Sequence, residues 1–168
     1  MNEHASQASN STTTERKSDR ELAVRRTFDA PARIVFEAWS NPKLFSRWWA
    51  PKSMGVPLLS CEMDVRTGGQ YRIEFGHDAA SSMAFFGKYV EVIPNARIVW
   101  TNDEGGEGSV TTVTFEEQGG KTLLVYHELY PTKEALDEAI EGMPDILPEQ
   151  FAQLDALLKT LPADAPGT

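Results

Sequence analysis

Near its C-terminus the chain reads DILPEQFAQLDALLKTL, from Asp145 to Leu161. The apolar residues Leu147, Phe151, Leu154, Leu158 and Leu161 recur at alternating steps of four and three. That spacing places all five on one stripe of an α-helix. Glu149, Gln150, Asp155 and Lys159 fall off the stripe and are expected to face water. Asp145 has the chemistry of an N-cap. Pro148 falls in the first turn, where its missing N–H costs little. An apolar stripe needs an apolar surface to cover, and the chain upstream supplies one.

From Val56 onward the pattern alternates with period two, broken by turn residues. Strands are expected over Val56–Val65, Gln70–His77, Ser82–Ile93, Ala96–Asn102, Ser109–Glu117 and Lys121–Leu129. An earlier strand spans Arg20–Phe28, with Leu22, Val24 and Phe28 on one side. Asp29-Ala30-Pro31 then opens a helix whose stripe is Ile34, Val35, Ala38 and Trp39. Asn41-Pro42 repeats the cap-then-proline signal for a second short helix carrying Leu44, Phe45, Trp48 and Trp49. Pro131-Thr132 caps another, with Ala135, Leu136, Ala139 and Ile140 inside and Gly142 as its C′ residue. Gly105-Gly106-Glu107-Gly108 reads as a hairpin turn. Short links demand antiparallel neighbours. The expected class is α+β: a curved antiparallel sheet of about seven strands wrapped on a long C-terminal helix, with two short helices between the first two strands. Residues 1–18 are polar and without periodicity and are expected to be a disordered tail. A single domain follows over 19–162, then a short C-terminal tail over 163–168.

Composition sets limits. At 168 residues, with 40% hydrophobic and 24% charged residues, the chain suits one domain with a real core. The net charge is −9, and residues 102–168 hold 14 of the 25 acidic residues but only 3 of the 16 basic ones. An acidic surface repels phosphate backbones, so nucleic acid is not expected as a partner. No apolar run approaches the length of a membrane span, and the first residues lack the apolar core of a secretory signal. The expected location is the cytoplasm. Cys61 is the only cysteine. That excludes a disulfide framework and a cysteine-rich metal site, and no cofactor or metal is expected. Nucleophile-elbow, His-Glu-x-x-His and phosphate-cradling glycine motifs are absent.

Several short motifs occur in a recognisable order: Asp29-Ala30-Pro31 with Val35-Phe36 and Ala38-Trp39, Asn41-Pro42, and Arg47-Trp48-Trp49-Ala50-Pro51. Asp64 to Gly69, Gly87-Lys88-Tyr89, Pro94, Arg97 to Thr101, Val110-Thr111 and Phe115 continue it. This series resembles the bacterial domain related to the activator of the heat-shock protein ATPase. That domain belongs to the SRPBCC superfamily, also called START-like or helix-grip. The resemblance spans about residues 20–161. It implies a helix-grip fold and binding of a small hydrophobic or aromatic ligand between the sheet and the C-terminal helix. The alternatives it implies are a cyclase- or aromatase-like enzyme, or a module contacting a chaperone or a second copy of itself. Where the family usually has Gly-Trp before the last helix, this chain has Gly142-Met143.

One sheet face is expected to carry Tyr71, Ile73, Phe75, His77, Phe85, Tyr89, Ile98, Trp100, Leu124, Tyr126 and Glu128. If the sheet curls round the last helix, these residues look toward it. The candidate ligand contacts are therefore Trp48, Trp49, Tyr71, Phe75, His77, Phe85, Tyr89, Trp100, Tyr126, Met143, Phe151 and Leu154. Adjacent residues on a helix diverge by about 100°, so one of Trp48 and Trp49 is expected in the core and the other at the pocket mouth. Wide rings on a curved face either fill a core or line a cavity. His77, Glu128 and Tyr126 are the candidate proton-transfer groups, should the protein be an enzyme.

Overall fold

Alternation and turn chemistry build a single antiparallel sheet. The computed structural model describes residues 12–103, 108–142 and 146–161. The strands are β1 Thr13–Arg16, β2 Glu21–Phe28, β3 Leu58–Met63, β4 Gln70–Phe75, β5 Met83–Ile93, β6 Arg97–Thr101, β7 Val110–Gln118 and β8 Lys121–Leu129. The helices are α1 Ala32–Ser40, α2 Pro42–Phe45, α3 Lys133–Gly142 and α4 Ile146–Leu158. Strand order is β1-β2-β8-β7-β6-β5-β4-β3, every neighbour antiparallel. The sheet is curved and open, with eight strands among the described residues rather than about seven.

The extra strand is β1. Residues 1–11 of the expected tail, like the tail at 163–168, lie outside the described residues. Thr13–Arg16, however, are a strand, paired with β2 from Thr13↔Arg25 to Arg16↔Leu22. All four residues are exposed, so no apolar pattern announces them. The backbone ladder holds them, helped by Arg16 Nη2 at 2.8 Å from Asp137 and by Arg26 Nη1 donating to Thr12 Oγ1 at 3.2 Å.

The sheet is built in two blocks joined through β5. Met83 to Lys88 of β5 pair with β4, while Tyr89 to Ile93 pair with β6. Val90 falls at a register shift between them. The larger block holds β1, β2, β8, β7 and β6. The smaller is an arm of β3, β4 and the first half of β5.

Local chemistry places the first helices. Asn41 caps α2 by accepting from the Lys43 N–H, with Pro42 at the first helical position. Pro31 is the N-cap of α1 and has no side-chain cap to offer. Glu117, from the β7 end, accepts from the Ala32 N–H at 2.9 Å instead. Thr132 caps α3 through its Oγ1 and the Ala135 N–H at 3.0 Å, and Leu136 is fully buried.

The α4 stripe forms as expected: Phe151, Leu154 and Leu158 are buried and Leu147 is half-buried. The helix stops at Leu158, so Leu161 lies in the turn beyond it. Asp145 lies outside the described residues. Two off-stripe residues depart from the expectation of facing water. Gln150 is buried and donates to the Trp49 carbonyl. The Asp155 side chain is 15% exposed and faces Arg26 Nη2 of β2 at 3.3 Å. Both are turned inward by partners distant in the chain.

Trp39 is the centre of the core. The rings of Trp48, Trp49, Trp100, Phe151 and Tyr126 have centroids 4.8, 5.9, 5.9, 6.2 and 6.4 Å from it. Offset and edge-on rings at such distances add about 0.5–1.5 kcal/mol per pair beyond area burial. Trp48 also donates its indole N–H to the Ala38 carbonyl at 3.0 Å.

Candidate functional site

The strand register sets which side chains share the concave face. Tyr126 opposes Val24 and Val113, Trp100 opposes Tyr89 and Thr111, Ile73 opposes Phe85 and Cys61, and Phe75 opposes Met83. The aromatic face read from alternation is therefore real, but its cover is uneven. Helix α4 packs chiefly on α1 and β2. Under it, Phe151 is fully buried, with Phe28 and Tyr126 ring centroids at 6.0 and 6.2 Å. That space is filled by rings.

Across the arm the same face opens. Tyr71, Ile73 and Tyr89 are buried, Phe75 is half-buried, Phe85 is 36% exposed and Met83 is 63% exposed. Phe75 and Phe85 meet edge-on at 5.5 Å. Cys61 and Met63 of β3 are half-buried on the same face, and burial pushes the Cys61 thiol up to about 11.

The other candidate residues fall in different places. Trp48 is the core ring, and Trp49 is the half-buried one, stacked on Phe45 at 4.8 Å. Leu154 is fully buried on α4, and Trp100 is buried beside Tyr126 at 6.2 Å. His77 is not on the aromatic face. Strand β4 ends at Phe75, and His77 is exposed in the turn that follows. It is not grouped with Tyr126 and Glu128. Met143 lies outside the described residues.

A polar cluster that alternation alone did not reveal sits where the arm meets the larger block. Tyr71 crosses β5 and donates its hydroxyl to the Thr101 carbonyl at 2.8 Å, with Asn102 Oδ1 at 3.2 Å. Gly87 makes that crossing feasible. A Cβ there would lie 1.9 Å from the Thr101 carbonyl oxygen and 3.0 Å from the Tyr71 ring. The Asn102 amide donates to Ser109 Oγ at 2.9 Å and Thr111 Oγ1 at 3.1 Å. Ser109 Oγ donates to Glu128 Oε2 at 2.7 Å. The Tyr130 hydroxyl lies near Glu128, and the Tyr126 hydroxyl near Thr111. Burial first, then the Glu128 carboxylate, pushes both tyrosines above the ordinary phenol range. They therefore stay protonated at neutral pH. A connected network of this kind can orient a polar ligand group or pass a proton.

Asn102, Ser109, Thr111 and Tyr130 are the members that sequence reasoning missed. One usable signal was present: Thr111 and Glu128 oppose each other one step from Tyr126 in the hairpin register.

The surface also carries two hollows. One, of about 310 Å³, lies between α2 and β3, lined by Pro42, Lys43, Ser46 and Leu58 to Cys61. The other, of about 460 Å³, lies on the outer side of α4 against Arg47 and Lys52. The second is away from the aromatic face, and the first reaches the edge of that face at Cys61 of β3. Among the described residues, no cluster of three or more His, Cys, Asp or Glu is placed to hold a metal ion. No described helix is long and apolar enough to cross a membrane.

A curved antiparallel sheet holding a C-terminal helix across an aromatic face defines a helix-grip protein. Residues 29–159 match the family of Activator of Hsp90 ATPase homolog 1-like proteins, and the chain belongs to it. Solved structures agree on the fold. A Rhodobacter sphaeroides protein superposes with a TM-score of 0.80 at 24% identity, over 90% of this chain and 99% of its own. A Mycobacterium smegmatis protein gives 0.76 at 23% identity, over 89% and 98%. A Chromobacterium violaceum protein gives 0.65 at 27% identity, over 82% and 96%. No curated protein matches the chain.

Proposed function

We propose that the protein binds a small apolar or aromatic molecule on the concave face of the arm, against Trp49, Tyr71, Phe75, Phe85, Tyr89 and Trp100. One observation carries this reading. The apolar face continues past its helical cover, so Phe75, Phe85 and Met83 remain half-buried or exposed on the concave side. Exposed large rings contiguous with a buried aromatic row favour an apolar ligand. The ligand would recover burial energy at about 25 cal/mol per Å² of covered apolar surface.

The test is native mass spectrometry of freshly purified protein, followed by titration with an apolar fluorescent probe. Probe affinity is expected to fall at least about five-fold in Phe85→Ser, roughly the loss of one ring contact. Unchanged affinity in that variant, with no retained ligand in the wild type, would remove the reading.

A second reading is contact with another protein chain, a chaperone or a second copy. It draws on Phe86, Val90 and Ile93 of β5, which are 41%, 54% and 41% exposed. Sedimentation velocity across concentrations tests self-association, and Val90→Lys should abolish any dimer formed through that strand. Under either reading we place the protein in the cytoplasm.

A further inference from the structure

The hollow on the outer side of α4 shares no residue with the arm, and its lining has a chemistry of its own. Its volume, about 460 Å³, lies in the range of small-ligand sites. Ala152 and Ala156 are exposed one helical turn apart, and with the buried Leu157 they form an apolar floor. Alanine at both positions keeps the space open, and a longer side chain at either would fill it.

Most polar atoms of the lining are already engaged. The Gln153 amide donates to the Trp48 and Ala50 carbonyls and accepts from the Lys52 N–H. Thr160 donates its hydroxyl to the Leu157 carbonyl at 2.7 Å. Glu149, the one carboxylate in the lining, accepts from the Ser53 N–H and hydroxyl. Arg47 and Lys52 differ. Both are exposed, and neither side chain has a hydrogen-bond or ion-pair partner among the described residues. The sequence around them explains this, since residues 38–61 hold Lys43, Arg47 and Lys52 and no acidic residue. In a chain of net charge −9, that segment is a local site of positive potential.

We propose that this hollow binds a small amphiphilic carboxylate, with its apolar body on Ala152, Ala156 and Leu157 and its anionic group on Arg47 and Lys52. The Arg47 guanidinium offers a fork of N–H donors that matches a carboxylate, and Lys52 adds a second positive charge. Glu149 opposes the anion, but the lining sets two cations against that one carboxylate, and both Glu149 oxygens already accept from Ser53. An uncharged molecule would leave the Arg47 and Lys52 donors unused.

The experiment titrates octanoate, octanol and inorganic phosphate into the full chain at neutral pH by calorimetry, with backbone amide NMR shifts to locate the ligand. Octanoate is expected to bind about ten-fold tighter than octanol, roughly three-fold from each of two exposed ion pairs. It should also bind tighter than phosphate, and its shifts should centre on Ala152, Ala156 and Thr160. Arg47→Gln and Lys52→Gln should each weaken octanoate about three-fold and leave the melting temperature unchanged, because neither side chain has a partner to lose. Ala156→Glu, which fills the floor and adds a negative charge, should abolish binding. Phe85→Ser, on the arm, should leave it unchanged. Equal affinity for octanoate and octanol, or for octanoate and phosphate, overturns the proposal. Octanoate binding that is lost in Phe85→Ser but kept in both cation variants belongs to the arm and also overturns it. Absence of saturable octanoate binding overturns it as well, and association with phosphatidylglycerol vesicles in that case would assign the cations to a membrane surface. None of these outcomes bears on the arm reading except the loss in Phe85→Ser, which would favour it.

Discussion

The larger block of the sheet and the β3–β5 arm are woven from the same alternation of apolar and polar residues, yet they end up differently covered. On the larger block, Val24, Phe28, Val113, Leu124 and Tyr126 are closed over by α1 and α4, and Phe151 fills the space between. On the arm, the row starts buried at Tyr71 and Tyr89 and ends exposed at Phe85 and Met83. A strand pattern specifies which face is apolar. It does not specify how far a helix reaches across that face. The difference follows from where α4 lands and from the 13 residues of its length, about 20 Å of helix. On the binding reading proposed above, recognition would draw on the uncovered part, because a filled core has no room to offer.

The largest effect should come from the closed part. Phe151→Ala is expected to cost about 3–5 kcal/mol in denaturant unfolding, as expected for a ring removed from a packed interior. Binding of an apolar probe should barely change. A cost near 1 kcal/mol with altered probe binding would move the cavity under α4 and erase the distinction between the two parts.

Cys61 reports on the arm. Its thiol is pushed up to about 11 by burial, and only the thiolate is alkylated. At mildly alkaline pH its reaction with iodoacetamide should be roughly 100-fold slower than that of a free thiol, and the rate should rise steadily toward pH 11. A bound ligand should slow it further. Alkylation as fast as a model thiol would mean that β3 is more open than its half-burial indicates.

A smaller effect tests the buckle that fixes where α4 lands. Gln153 donates to the Trp48 and Ala50 carbonyls, each at 2.9 Å, and accepts from the Lys52 N–H at 2.9 Å. Glu149 accepts from the Ser53 N–H and hydroxyl, which holds its carboxyl below the usual range. Gln153→Ala should cost about 1–3 kcal/mol, since backbone groups lose a partner. It should also loosen Trp49, seen as a red shift of tryptophan emission. A cost within error would mean that packing of the stripe alone positions the helix.

The smallest stability effect is expected at Phe85. Phe85→Ser should change unfolding free energy by no more than about 0.5 kcal/mol, as for an ordinary surface site. Its affinity loss for a probe, stated above, would then be an effect on recognition alone. A stability loss of several kcal/mol would show that Phe85 belongs to the core.

Several elements were legible in the chain because their causes are local. The α4 stripe is a matter of spacing, and the α2 start is a matter of Asn41 and Pro42. Strand β1 was not legible. Thr13 to Arg16 carry no apolar alternation, and their extended state comes from pairing with β2. Gln150 and Asp155 were misread as water-facing because polarity predicts exposure only when no distant partner is at hand. Trp49 and Arg26 are those partners. His77 was placed on the aromatic face by extending β4 two residues too far, into a turn.

The candidate site divides along the same line. By itself the sequence determined the class of fold, the order of its main elements and the aromatic face of the sheet, since these follow from periodicity, caps and turn residues within a few positions of one another. Only the tertiary structure decided how far α4 covers that face. It also brought Tyr71, Asn102, Ser109, Thr111, Glu128 and Tyr130 together. Those six come from β4, β7, β8 and the segments flanking β6 and β8. The antiparallel register brings them into one cluster, and register is a property of paired strands that no single segment carries.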